Sequence, residues 1–121
     1  MELYAPEAYK KLTEEQRKNM VNGCGPGRFG SFIVPDSFIG LSITSACNIH
    51  DYMYEVGETI DDKKEADRVF LNNMVRLIDD RGGILKWFRL KMAKSYYMAV
   101  KYFGGPSFWD GKNESKNMVE V

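Results

Sequence analysis

One histidine, His50, and two cysteines, Cys24 and Cys47, are all that this 121-residue chain offers in those two residue types. No Cys-x-x-Cys pair and no Cys/His zinc spacing is present, so a structural zinc module is excluded. Two cysteines can form one disulfide or stand as two thiols, and the count leaves both open. No apolar run approaches the roughly 20 residues of a membrane span. The first twenty residues are charged and lack the apolar core of a signal peptide. Net charge is lacking too: 17 basic residues balance 17 acidic ones, which argues against bulk nucleic-acid binding. No Gly-x-Ser-x-Gly elbow occurs, and no serine is placed to use His50 in a Ser–His–Asp arrangement. Phosphate-binding glycine motifs following a strand are absent as well. Few segments alternate apolar with polar, so the fold is expected to be mainly α.

The length suits a single domain over residues 1–121, with no repeat and no low-complexity segment. Thr13 and Gln16 are spaced as a capping box, starting a helix that Gly23 would stop. From Gly23 to Gly40 the glycines and prolines predict a loop. A second helix is predicted from about Ser42 or Thr44 to Val56, with Gly57 at its C′ position. A third runs from near Asp61 to Gly82–Gly83, and a fourth from Ile84 to about Phe103, ending at "GGPSFW". Between Arg81 and Trp109 lie six basic residues and no acid, which reads as a solvated helix face or a surface drawn to anionic lipid.

At 100° per residue, Ile43, Ala46, Cys47, His50, Met53 and Tyr54 share one face of the second helix, and Asp51 lies one step round. The inward arc of the third helix holds Ala66, Phe70, Asn73, Met74, Leu77 and Ile78, and it includes Asp67. A carboxylate on an apolar arc is costly unless a partner satisfies it. The connector "GETID" is short, so the two helices are expected to be antiparallel neighbours with His50 and Asp67 facing each other. A histidine on an apolar face is commonly a packed core residue. The adjoining Asp51, the inward Asp67 and the preceding glycine-rich loop favour chemistry instead. Such a loop can wrap backbone carbonyls around Ca²⁺, which takes roughly six to eight oxygen ligands.

Three elements in order, Cys24-Gly25-Pro26-Gly27, then Cys47-Asn48-Ile49-His50-Asp51-Tyr52-Met53-Tyr54, then Ala66-Asp67, resemble the secretory-type phospholipase A₂ superfamily. The likeness spans about residues 20–75. It implies two antiparallel catalytic helices, a glycine-rich calcium loop and further helices. By position, Asp51 and the carbonyls of Gly23, Gly25 and Gly27 would hold Ca²⁺. His50 would be the general base, Asp67 its orienting partner, Tyr54 a donor to Asp67, and the Gly25 N–H an oxyanion donor. The resemblance further implies a Cys24–Cys47 disulfide, secretion, and action on the sn-2 ester at a phospholipid membrane or micelle surface. With only two cysteines and no room for a β-wing between His50 and Asp67, the chain resembles the compact bacterial, fungal or viral branch, from whose pattern Pro26 and Arg28, the latter in place of a loop glycine, set its calcium loop apart. Candidates for an apolar slot and lipid-facing rim are Phe29, Phe32, Ile33, Phe38, Ile39, Phe108 and Trp109, with ordinary core packing the alternative for each. The rival readings are a non-catalytic calcium- or lipid-binding homologue and a helical partner-binding domain.

Overall fold

The computed structural model describes residues 2–20, 37–109 and 112, leaving out the side chains of 18–20, and is mainly helical. In chain order the elements are α1 (Glu7–Lys10), α2 (Glu14–Met20), β1 (Ser37–Phe38), β2 (Leu41–Ser42), α3 (Thr44–Val56), α4 (Ile60–Arg81), α5 (Lys86–Phe103) and α6 (Gly105–Trp109). The central layer is formed by α3, α4 and α5. Gly23, Cys24, Gly25 and Gly27 lie outside the described residues, as do Phe29, Phe32 and Ile33.

Local chemistry sets the helix starts. Thr13 Oγ1 accepts from Gln16 N (3.1 Å), and Gln16 Oε1 accepts from Thr13 N (2.9 Å), so the expected capping box precedes α2. A second box opens α4. Thr59 Oγ1 accepts from Asp62 N, while Asp62 Oδ2 accepts from the backbone N–H groups of Glu58 and Thr59. Those two backbone donors hold the Asp62 carboxyl below its ordinary range. The helix predicted to start at Ile84 begins two residues later, because Ile84 and Leu85 form the turn out of Gly82–Gly83. "GGPSFW" ends α5 as expected but then coils into α6.

The short link between α3 and α4 makes them antiparallel neighbours. His50, nearly two turns before it, meets Asp67, about two turns beyond it. Similarly, Lys63 near the start of α4 reaches Val100 near the end of α5. Gly57 sits at the C-terminus of α3 in extended backbone (φ −68°, ψ 148°), not the left-handed cap expected there. Packing explains the glycine: a Cβ at this position would stand 2.8 Å from Phe108 Cε1. Gly57→Ala is expected to destabilise the fold by roughly 1–3 kcal/mol through overpacking, read from the urea midpoint.

The end of the predicted loop folds as an antiparallel hairpin, with Phe38 opposite Leu41. Its turn places Ile39 at φ 49°, strained for a β-branched residue. Arg89, one of the six basic residues of the stretch from 81 to 109, is buried and holds this turn. Its Nε donates to Phe38 O (3.0 Å) and its Nη2 to Ile39 O (2.7 Å). Arg89 is therefore a structural clamp and not part of a solvated face. Phe38 and Phe108, both offered as rim candidates, are fully buried core residues. Trp109 packs half-buried against the same core, and only Ile39 of the described candidates is largely exposed. No helix among the described residues is long and apolar enough to cross a membrane.

Asn73, predicted on the inward arc of α4, also ties down the N-terminal segment. Its side-chain amide accepts from Tyr4 N and donates to Tyr4 O, each at 2.8 Å. This two-way bond satisfies the buried amide in a position that would otherwise suit an apolar residue.

Candidate active site

Helical spacing puts Ala46, Cys47, His50 and Tyr54 on the buried side of α3, and Ala66, Asp67 and Phe70 on the facing side of α4. His50 Nε2 lies 2.8 Å from Asp67 Oδ1, and the Tyr54 hydroxyl donates to the same oxygen at 2.7 Å. The first contact was expected from the helical periodicity and the second from the resemblance. The imidazole is stacked on Phe70, with centroids 4.5 Å apart, and leans on Tyr54 at 4.1 Å. With Nε2 engaged by a carboxylate, the neutral ring carries its proton there and keeps the lone pair on Nδ1. That Nδ1 atom is buried.

Asp67 takes a third donor, which the sequence reading missed. Lys63 Nζ donates to Asp67 Oδ2 (2.9 Å), Val100 O (3.0 Å) and Lys101 O (3.3 Å). All three ammonium protons thus meet an acceptor, and the last two are carbonyls near the end of α5. A signal was available: Lys63 lies one turn before Asp67 on the same arc, a spacing that pairs opposite charges along a helix. Burial pushes the Asp67 carboxyl up, but the bonds from His50, Tyr54 and Lys63 outweigh it and hold the group below its ordinary 3.8.

A carboxyl depressed in the folded state contributes stability above its unfolded value, and that contribution fades as pH falls through its lower folded value. The Asp67 contribution is therefore intact at neutral pH and is lost only below about 3.8. Comparing thermal melts of wild type and Asp67→Asn between pH 6 and 3 tests this. The stability gap between the two proteins is expected to shrink towards the acid end.

Gly104, which caps α5, permits the approach of Tyr54: a Cβ there would stand 2.5 Å from the Tyr54 hydroxyl oxygen. The Tyr54 ring also meets Phe108 edge-on at 5.3 Å. Support for the dyad therefore comes from α3, α4, α5 and α6 together.

Asp51 is fully buried but faces elsewhere, as its position one step round the helix predicted. Burial pushes the Tyr9 hydroxyl up, Arg17 opposes this, and the Asp51 carboxylate adds to the rise. Asp51 thus lies towards the α1 corner, where Tyr9 also meets Tyr52 edge-on at 5.3 Å. A buried carboxylate is a hard oxygen donor of the kind that suits Ca²⁺. Among the described residues no group of three His, Cys, Asp or Glu gathers as a metal site. The other expected calcium ligands, Gly23, Gly25 and Gly27, lie outside those residues. Cys47 is buried, and no cysteine among the described residues is free. Its expected partner Cys24 is outside them. The chain matches no family model, no curated protein and no solved structure.

Proposed function

We propose that the chain is a calcium-dependent phospholipase A₂ that hydrolyses the sn-2 ester of glycerophospholipids with a His50–Asp67 dyad. The observation that carries this reading is the assembled buried trio of His50, Asp67 and Tyr54, drawn from a sequence that resembles the phospholipase A₂ superfamily. A pure binding module has no use for a histidine whose tautomer is fixed by a buried carboxylate.

In this reading His50 Nδ1 takes a proton from water as the water attacks the ester carbonyl. Asp67 keeps the ring oriented and stabilises the imidazolium that forms. The protonated ring then returns the proton to the departing glycerol oxygen, and no acyl-enzyme forms. Tyr54 and Lys63 hold Asp67 in place. Asp51, with the carbonyls of Gly23, Gly25 and Gly27, would hold Ca²⁺. Bound there, the ion supplies Lewis-acid stabilisation of the carbonyl oxygen, and Gly25 N–H would donate to the same oxygen. A Cys24–Cys47 disulfide would tether the calcium loop to α3, which accords with Cys47 not being free.

The partner surface is a phospholipid bilayer or micelle, met peripherally. Supporting this, Ile84, Trp87 and Phe88 stand 95%, 67% and 57% exposed at the turn into α5, beside the exposed Lys91 and Lys94. Neighbouring apolar and basic side chains of this kind suit an anionic interface.

Calcium titration separates the roles. Wild type is expected to bind one Ca²⁺ and hydrolyse phospholipid, and Asp51→Ala to lose both. Calcium binding without any hydrolysis by wild type would instead favour the non-catalytic calcium- or lipid-binding module.

A further inference from the structure

Between α4 and α5 lies a groove of about 530 Å³ that contains no residue of α3 in its lining. Its walls carry four basic side chains, Lys63, Lys64, Arg68 and Lys101, and one acid, Asp67. Two of these cations are already balanced. Lys63 is bonded to Asp67, and Arg68 to Glu65 at 2.6 Å. Lys64 and Lys101 have no carboxylate partner among the described residues, and both are exposed. Lys101 is held over two rings, 5.9 Å from the Tyr97 centroid and 5.4 Å from that of Tyr102. Ile60 and these tyrosines supply an apolar wall.

Two ammonium groups without a carboxylate partner among the described residues, set beside an apolar wall, match a dianion that carries a hydrocarbon substituent. We propose that this groove binds a phosphomonoester attached to an apolar chain. Lys64 and Lys101 would pair with the phosphate oxygens, while Tyr97, Tyr102 and Ile60 would cover the first carbons of the chain. A carboxylate would leave one ammonium uncompensated, and a zwitterionic head group would bring a cation into an already basic groove. The groove shares Lys63 and Asp67 with the support of the dyad, but neither His50 nor the expected calcium ligands line it, so anion binding there does not require hydrolysis.

The test is calorimetric titration of the intact chain, with chelator present, using monomeric dodecyl phosphate and, separately, inorganic phosphate. Dodecyl phosphate is expected to bind one per chain and at least about tenfold more tightly than inorganic phosphate. Lys64→Gln and Lys101→Gln should each weaken dodecyl phosphate by about tenfold. Tyr102→Ala should weaken dodecyl phosphate while leaving inorganic phosphate unchanged. All three positions are exposed, and unchanged thermal melts would show that the fold persists. Equal affinity for the two anions, or undiminished binding by the lysine variants, would overturn the proposal. So would the absence of dodecyl phosphate binding.

Discussion

His50→Asn is expected to lower phospholipid hydrolysis by roughly a hundred- to ten-thousandfold while leaving calcium binding in place. The reason lies in the geometry around one ring. Asp67 engages Nε2, Phe70 stacks on the face, and the lone pair is left at Nδ1. Asparagine can still offer a polar group to Asp67 but has no nitrogen that takes up a proton near neutral pH. Asp67→Asn is expected to act through the same ring, since an amide carbonyl orients Nε2–H without stabilising the imidazolium. The measurement is initial rate on phospholipid vesicles at saturating Ca²⁺, with circular dichroism to show that the fold persists. Hydrolysis undiminished in His50→Asn would remove the histidine from the mechanism.

Lys63→Met is expected to destabilise the protein by about 3–5 kcal/mol, the range for removing one member of a buried ion pair. The side chains of Lys63 and Asp67 are 6% and 3% exposed, so water cannot replace the lost donor cheaply. Val100 O and Lys101 O lose a donor in the same step. A double-mutant cycle with Asp67→Asn distinguishes pair from parts: the double variant should cost less than the sum of the singles. Additive costs measured by urea denaturation would mean that the two groups are not coupled. The same substitution should also slow hydrolysis, since Asp67 would lose the bond that fixes its second oxygen.

Much of this site was readable from periodicity. The 100° turn placed His50 and Asp67 on facing arcs, and the short connector joined those arcs. Tyr54, one turn after His50, came from the resemblance and bonds to Asp67 as it implied. Lys63 was overlooked because a lysine near a helix start normally reads as solvent-facing. Its partners on α5 are 37 and 38 residues away, and no local rule brings them near. Arg89 shows the same limit: its acceptors are backbone carbonyls of a hairpin about fifty residues earlier. Phe38 and Phe108 were ambiguous between rim and core because an aromatic beside glycine or proline suits either. Gly57 was placed correctly but for a different reason, since close approach of Phe108 was a tertiary fact.

The most direct measurement is positional product analysis on a phospholipid carrying distinct acyl chains at sn-1 and sn-2, with Ca²⁺ and then with chelator. Release of the sn-2 fatty acid alone, stopped by chelator and restored by added Ca²⁺, is the expected result. No release, release from sn-1, or release indifferent to chelator would contradict the assignment of His50, Asp67 and Asp51 to a calcium-dependent phospholipase A₂.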